Sequence, residues 1–275
     1  MIPAIKTVIF INELVNQNSA PSIFLCDDFK QYYCKSILDN SDHDFLVYEF
    51  IGSYIARYFG ISTPEIAWVK FDELSMGSEY FQKNYNIKNG DILFGSQYIG
   101  ENDHLDSTGK FKIKNKKIFS RLKNPEDLIK ISLMDIHLNN MDRNEDNYNL
   151  LFQTEKNMFY AIDHSALFGG PALKNTFSPR GEPSMGQKLL GSEILLNVIK
   201  FISFDSILEI IDEYFSGCNF QLEIEINHVF GSLPESWIVS PSLKERILEY
   251  TLNETRLGLF KLLVTDRLYK IKKKR

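Results

Sequence analysis

The polar run Met141-Asp142-Arg143-Asn144-Glu145-Asp146-Asn147 lies between apolar segments, and a further apolar stretch, Asn157 to Ile162, ends on Asp163. No other feature constrains the fold as strongly. Asp, Asn and Arg crowded between hydrophobic segments suit a turn, because their side chains hydrogen-bond nearby backbone and tolerate unusual dihedrals. Asp163 is harder to place, since a carboxylate at the end of an apolar strand is costly unless it meets a cation or hydrogen-bond donors. Asn149-Leu150-Leu151-Phe152 leaves the polar run as an apolar strand, and Gly169-Gly170-Pro171 opens a loop beyond Asp163.

These residue types also match a phosphoryl-transfer centre. Such a centre needs one carboxylate to position the acceptor hydroxyl, an amide oxygen to hold a metal, and a second carboxylate to bridge that metal to the phosphates. Asp142, Asn147 and Asp163 supply them in that order, and the five-residue step from Asp142 to Asn147 is that of the protein-kinase catalytic loop. A plain turn accounts for Asp142 to Asn147 equally well. Asp163 favours a site.

A kinase reading requires a lysine on an N-terminal strand and a glutamate on the next helix. Ser22-Ile23-Phe24-Leu25-Cys26 and Gln31-Tyr32-Tyr33-Cys34-Lys35-Ser36 read as a hairpin around the acidic turn Asp27-Asp28. Asp42 to Phe59 reads as a helix capped by Ser41 or Asp42, with Leu46, Phe50, Tyr54 and Ile51, Ile55, Phe59 at four-residue steps. Between Phe45 and Phe59 its only charges are Glu49 and Arg57. A glutamate on so apolar a helix calls for a cation. Lys35 is the natural partner and Lys30, in the turn, the weaker rival; a snorkelling Lys35 and a solvated Glu49 are the ordinary alternative.

Taken in order, these segments resemble the HipA-like kinases, in the short form without the extra N-terminal subdomain of the HipA toxin. Tyr32-Tyr33-Cys34-Lys35 resembles the family's lysine strand. Val47-Tyr48-Glu49-Phe50 to Phe59-Gly60-Ile61-Ser62-Thr63-Pro64-Glu65 resembles its glutamate helix and exit, and Phe94-Gly95-Ser96-Gln97-Tyr98-Ile99 its hinge. Asn140-Met141-Asp142-Arg143 to Asn147-Tyr148-Asn149-Leu150-Leu151 and Ile162-Asp163-His164-Ser165 complete the set, which covers roughly residues 5–170.

The resemblance implies an α+β, two-lobed protein-kinase-like fold: a small β-rich N-lobe with one long helix, residues 1–98, and a larger, mostly helical C-lobe, residues 99–275. It implies ATP in the cleft against Lys35, Glu49, Gln97, Tyr98 and Ile99, Mg²⁺ on Asn147 and Asp163, and Asp142 positioning the acceptor hydroxyl. The loop Asn16-Gln17-Asn18-Ser19-Ala20-Pro21 has no glycine, unlike the glycine-rich loop of protein kinases. HipA-like proteins often carry serines there, which makes Ser19 and Ser22 candidate autophosphorylation sites, although loop serines ordinarily have no such role.

At 275 residues, 44% hydrophobic and 24% charged, the chain can bury a substantial core. A net charge of −5 argues against a nucleic-acid-binding surface as the main function. The basic runs Lys110 to Lys117 and Lys270 to Arg275 read as solvated faces or tails. No stretch reaches the length of a transmembrane helix, and Ile2 to Phe10 lacks the marks of a signal peptide, so a cytoplasmic protein that does not bind membranes is expected. Cys26, Cys34 and Cys218 have no metal spacing and are expected as reduced thiols, with Cys26 and Cys34 able to face each other across the hairpin. His137 and His164 are expected to form structural hydrogen bonds.

After the hinge, Asn124-Pro125-Glu126-Asp127 reads as a helix start with Asn124 as cap, and the helix carrying Leu128, Ile131, Leu133, Met134 and Ile136 leads to Asp142. Glu73 to Gly90 has no clean period. Helices are expected over Gln187 to Phe201, Phe204 to Phe215 and Ser242 to Tyr269, the last facing the core through Ile247, Leu252, Leu257, Leu259, Leu262 and Leu263. Three readings stand: a Ser/Thr protein kinase with a protein substrate, as the toxin of a toxin–antitoxin pair with an antitoxin partner or in a defence system; a small-molecule or lipid kinase; and AMP transfer or ATP-gated binding on the same fold. The resemblance ranks the protein substrate first.

Overall fold

Burial alternates along the two hairpin strands of the first sheet and runs unbroken along its more covered members. The computed structural model describes residues 2–13, 22–36, 43–76, 87–105, 113, 115–140, 142–143, 147–170 and 189–274. Strands β1 (Ala4–Glu13), β2 (Ser22–Cys26), β3 (Gln31–Lys35), β4 (Ile66–Lys70) and β5 (Ile92–Gln97) close into a barrel in the order β1-β2-β3-β5-β4. The neighbours are antiparallel except β1 and β4, whose parallel pairing of Ala4 with Trp68 and Lys6 with Lys70 closes the ring. Closure leaves no open sheet edge. Inside, Phe24, Cys26, Tyr32, Cys34, Val69 and Leu93 form a small core. Gly95 admits this packing, for a Cβ there would stand 2.5 Å from Val69 Cγ2.

The hairpin register corrects one expectation. Cys34 lies opposite Ser22, while Cys26 sits beside the turn, so the two thiols are not cross-strand partners. All three cysteines are free, and burial pushes the Cys26 thiol up to about 12.

Helix α1 (Asp44–Tyr58) packs on the outside of the barrel, with the Phe50 and Trp68 rings 4.3 Å apart. The expected caps Ser41 and Asp42 lie outside the described residues. His43 precedes the helix without a side-chain cap, and Asp44 Oδ1 instead accepts from Ser240 N at 2.9 Å. Of the segment without a clean period, Glu73–Ser75 makes a 3-10 turn and residues 77–86 are not described.

A second, antiparallel sheet follows: β6 (Asp103–His104), β7 (Leu150–Gln153) and β8 (Met158–Ala161), with Leu150 opposite Ala161. Between β6 and β7 lie α2 (Lys116–Phe119) and α3 (Asp127–His137). Asn124 does not cap α3. Its Nδ2 donates to Phe159 O at 2.8 Å and to Asp127 Oδ2 at 2.6 Å, and its Oδ1 accepts from Phe159 N at 2.9 Å. It therefore ties the start of α3 to β8.

From residue 193 onward the described chain is mostly helical: α4 (Glu193–Phe201), α5 (Phe204–Gly217), α6 (Phe220–Gly231), α7 (Leu243–Leu252) and α8 (Glu254–Lys273). Helix α6 is additional to the sequence expectation. The single helix expected from Ser242 to Tyr269 is two, because Asn253 takes an extended backbone and its side chain accepts from Arg256 N, restarting the helix. Helix α8 buries Arg256, Phe260, Val264 and Leu268 at four-residue steps, whereas Leu259 and Leu262 are exposed, contrary to the core-facing role expected of them. The architecture is mixed α+β. Among the described residues no helix is long and apolar enough to cross a membrane.

Candidate active site

Strand alternation places Lys35. Cys34 points into the barrel, so Lys35 points outward to α1, and Tyr33 shares its face. Glu49, on the second turn of α1, is only 1% exposed. Lys35 Nζ donates to Glu49 Oε1 and, at 3.0 Å, to Asp163 Oδ1. The other oxygen of Glu49 accepts from His164 N at 2.9 Å, and Asp163 Oδ1 also accepts from Ser165 Oγ at 2.9 Å. Lys30 is exposed in the turn. Of the two candidate lysines, Lys35 is the one at the site.

Burial opposes all three charges. It would lower the Lys35 pKa, but Glu49 and Asp163 offset it and hold the ammonium charged, well above the usual lysine range. Burial raises Glu49, Lys35 opposes and Asp163 adds to the rise, which leaves the carboxyl at about 7. Burial also raises Asp163, yet Lys35 prevails and holds it well below the usual carboxylate range. Asp163 is thus an ionised oxygen donor beside a fixed cation, and its side chain keeps 22% of its surface exposed.

The backbone at Asp163 is left-handed, with φ 54°. For a non-glycine residue that conformation costs about 1–2 kcal/mol and persists only where the surroundings impose it. Here they include α1 itself. Gly52 lies against the residue after Asp163, and a Cβ at that position would stand 2.3 Å from His164 Cβ. The close approach is what allows His164 N to reach Glu49.

Asp142 follows α3 in a loop braced from beneath. Arg143 Nε lies 2.8 Å from Asp135 Oδ2, both residues being buried, and Arg143 Nη1 donates to Tyr148 O and to Asn149 O at 2.6 Å. Asn140 donates to Asp135 Oδ1 at 3.0 Å and accepts from Asp142 N at 3.2 Å. The Asp142 carboxylate accepts from Asn149 Nδ2 at 3.0 Å, and Asn147 Oδ1 accepts from Asn149 N at 3.3 Å. Ile162 N donates to Asn149 O at 3.0 Å, which joins this loop to the strand end that carries Asp163.

The other expected site residues divide. Tyr98 lies on the Lys35 face, its ring 5.9 Å from that of Tyr33. Gln97 is three residues past Phe94, the cross-strand partner of Lys35, so its side chain takes the opposite face. The Gln97 side chain therefore faces away from Lys35. Its amide is bonded to Glu65 O and that of Tyr98 to Gln31 O, while Ile99 O accepts from Gln153. Ser22 is not in a loop: it opens β2, paired with Glu13 and Cys34 and 3% exposed, so phosphorylation there would require the strand to leave the barrel. Ser19 and the rest of the loop, residues 14–21, lie outside the described residues.

Asn149, Tyr33 and the Asp135–Arg143 pair escaped the sequence reading. Asp135 carried the same signal as Glu49, a carboxylate on an apolar helix. Of the histidines, His137 is held by Tyr214 OH at 2.9 Å and Thr251 O at 2.8 Å, as expected. His164 departs from expectation: its buried ring nitrogens have no hydrogen-bond partner among the described residues.

A protein-family model described as HipA-like kinase matches residues 8–178. Solved structures similar to the chain include "Complete CtTel1 dimer with C2 symmetry", at 12% identity and a TM-score of 0.45, covering 94% of this chain and 12% of that one. "FAT and kinase domain of CtTel1" is similar at 12% identity and a TM-score of 0.40, covering 94% of this chain and 22% of that one. The chain thus spans a small part of those proteins, and TM-scores so low carry no argument. Curated protein sequences gave no match.

Proposed function

The chain belongs to the HipA-like kinase family, and on that premise we propose that it transfers the γ-phosphoryl group of ATP, with Mg²⁺, to a protein serine or threonine hydroxyl. The observation that carries this reading is the buried Lys35–Glu49–Asp163 cluster, which fixes a cation and an ionised carboxylate side by side. In this reading the barrel and α1 form a small lobe, residues 1–98, and residues 99–275 a larger, mostly helical lobe, giving a two-lobed protein-kinase-like fold.

Lys35, held by Glu49, neutralises the α- and β-phosphates. Asp163 and Asn147 supply a carboxylate and an amide oxygen, a donor set suited to a cation that takes few protein ligands beside phosphate oxygens. Bound Mg²⁺ neutralises charge developing on the transferred group. Asp142, oriented by Asn149, accepts the proton of the acceptor hydroxyl as its oxygen bonds to phosphorus and the bond to ADP breaks. Tyr33 and Tyr98, on the Lys35 face, offer the nucleobase an aromatic surface. The protein acceptor, and a place in a toxin–antitoxin or defence system with an antitoxin-type partner, rest on the family alone.

The test is the intact mass of the protein after incubation with Mg²⁺ and ATP, beside Asp142→Ala, with peptide mapping. A phosphoryl adduct on the wild type alone supports the reading. An AMP adduct moves it to nucleotidyl transfer. Binding of ATP without an adduct turns the search to small-molecule, lipid or partner acceptors, and no binding of ATP overturns it.

A further inference from the structure

Helix α1 carries Glu49 on its inner face, and its outer side is held at three points by residues 217–240. At its end, Tyr58 OH donates to Gly217 O at 2.9 Å. Midway, Tyr54 OH lies 3.3 Å from His228 Nδ1 on α6. At its start, His43 N donates to Ile238 O at 2.8 Å, and Ile238 N bonds to His43 Nδ1 at 3.0 Å. Ser240 N adds the 2.9 Å bond to Asp44 Oδ1.

Trp237 wedges this last contact into the barrel. Its ring stacks on His43 at 5.4 Å and meets Trp68 edge-on at 5.1 Å, and its indole N–H donates to Ile92 O at 2.9 Å. Trp237 is 7% exposed although it lies in the loop between α6 and α7. A loop of the C-terminal helical part is thus anchored at once to the start of α1, to β4 and to β5. Any outward swing of α1 would have to break these bonds and uncover two tryptophans.

We propose that the loop bearing Trp237 is a positioning strap that sets where α1 sits, and through α1 the alignment of Glu49 with Lys35 and Asp163. Trp237 touches neither the cluster nor a reacting atom; it acts through the helix. The kinetic part of this inference rests on the phosphotransferase reading, whereas the mechanical part does not.

The experiment compares Trp237→Ala, Trp237→Phe and His43→Ala with the wild type by amide hydrogen exchange and by steady-state transfer from ATP. The strap predicts faster exchange across α1 in Trp237→Ala and His43→Ala, with α3 still protected. It predicts a kcat lowered by roughly tenfold to a hundredfold, the scale of a misaligned site, with KM for ATP changed little. Trp237→Phe, which keeps a six-membered aromatic ring but loses the pyrrole half of the indole with its N–H, should recover part of the loss. Unchanged α1 exchange in both truncated variants overturns the strap. Loosened α1 with unchanged kcat overturns its link to Glu49. A wild type that binds no ATP refutes the kinase reading, and the exchange measurement still decides the strap. If Trp237→Ala does not fold, His43→Ala carries the same comparison.

Discussion

Lys35 and Asp163 stand 128 positions apart in the chain and are joined by a 3.0 Å ion pair, with Glu49 on the other side of the same ammonium. One cation from a strand of the barrel thereby connects the helix packed on it to the segment after the second sheet. The charges compensate one another, so removing any one of them changes the state of the other two.

Lys35→Met should destabilise the protein by about 3–5 kcal/mol, the usual cost of leaving a buried charge unpaired. Glu49, already raised from 4.5 to about 7 by burial, will rise further without Lys35. A carboxyl whose folded pKa lies above its unfolded value binds more protons when folded, so stability is greatest at low pH and falls as pH rises from about 4.5 toward the folded pKa. Urea unfolding of Lys35→Met between pH 4 and 8 should show this fall. The double variant Lys35→Met with Glu49→Gln should lack it.

Asn149 offers a test of how Asp142 is held. Its backbone is left-handed, φ 46°, and its side chain donates to the Asp142 carboxylate. Asn149→Gly keeps the backbone and removes the donor, so its melting temperature should stay near wild type while kcat falls by roughly tenfold or more, as expected when a reacting group loses its orientation. Asn149→Ala should show the same kinetic loss and, in addition, about 1–2 kcal/mol of destabilisation from the strained φ.

Gly52→Ala should destabilise by about 1–3 kcal/mol through overpacking, because its Cβ would lie 2.3 Å from His164 Cβ and push α1 away from the Asp163 segment. Thermal melting measures the cost. Loss of transfer larger than the loss of folded protein would show that the close approach serves the cluster as well as the core.

His137 and His164 should remain neutral well into acid. Burial lowers both from 6.5 to about 3, with Arg256 adding to the effect on His137 and Arg143 on His164. Unfolding therefore takes up a proton at each, and their contribution to stability is full above pH 6.5 and is lost as pH falls toward 3. In an NMR titration from pH 8 to 5 neither imidazole should show the midpoint near 6.5 that an exposed histidine gives.

What was legible in the sequence was chemistry in an unfavourable setting. Glu49 on an apolar helix and Asp163 at the end of an apolar strand each demanded a cation, and Lys35 is the cation that both meet. Asp135 made the same demand and its partner was missed, because Arg143 lies within the polar loop and read as one of its turn residues. The hairpin was evident from composition, but its register was not: Cys34 pairs with Ser22, four positions from Cys26. Local pattern also failed at Asn253, where one capping side chain divides a continuous run of helix formers. Least visible was the covering of α1. Its contacts with residues 217–240 join segments almost two hundred positions apart, and no periodicity records such a contact.

The division of labour between Asp163 and Asp142 is tested most directly by isothermal titration of ATP, with and without Mg²⁺, into wild type, Asp163→Ala and Asp142→Ala. The account predicts that Asp163→Ala loses the Mg²⁺-dependent part of ATP affinity, while Asp142→Ala binds Mg²⁺ and ATP nearly as the wild type does and transfers no phosphoryl group. Equal loss of nucleotide affinity in the two variants, or full transfer by Asp142→Ala, would contradict it.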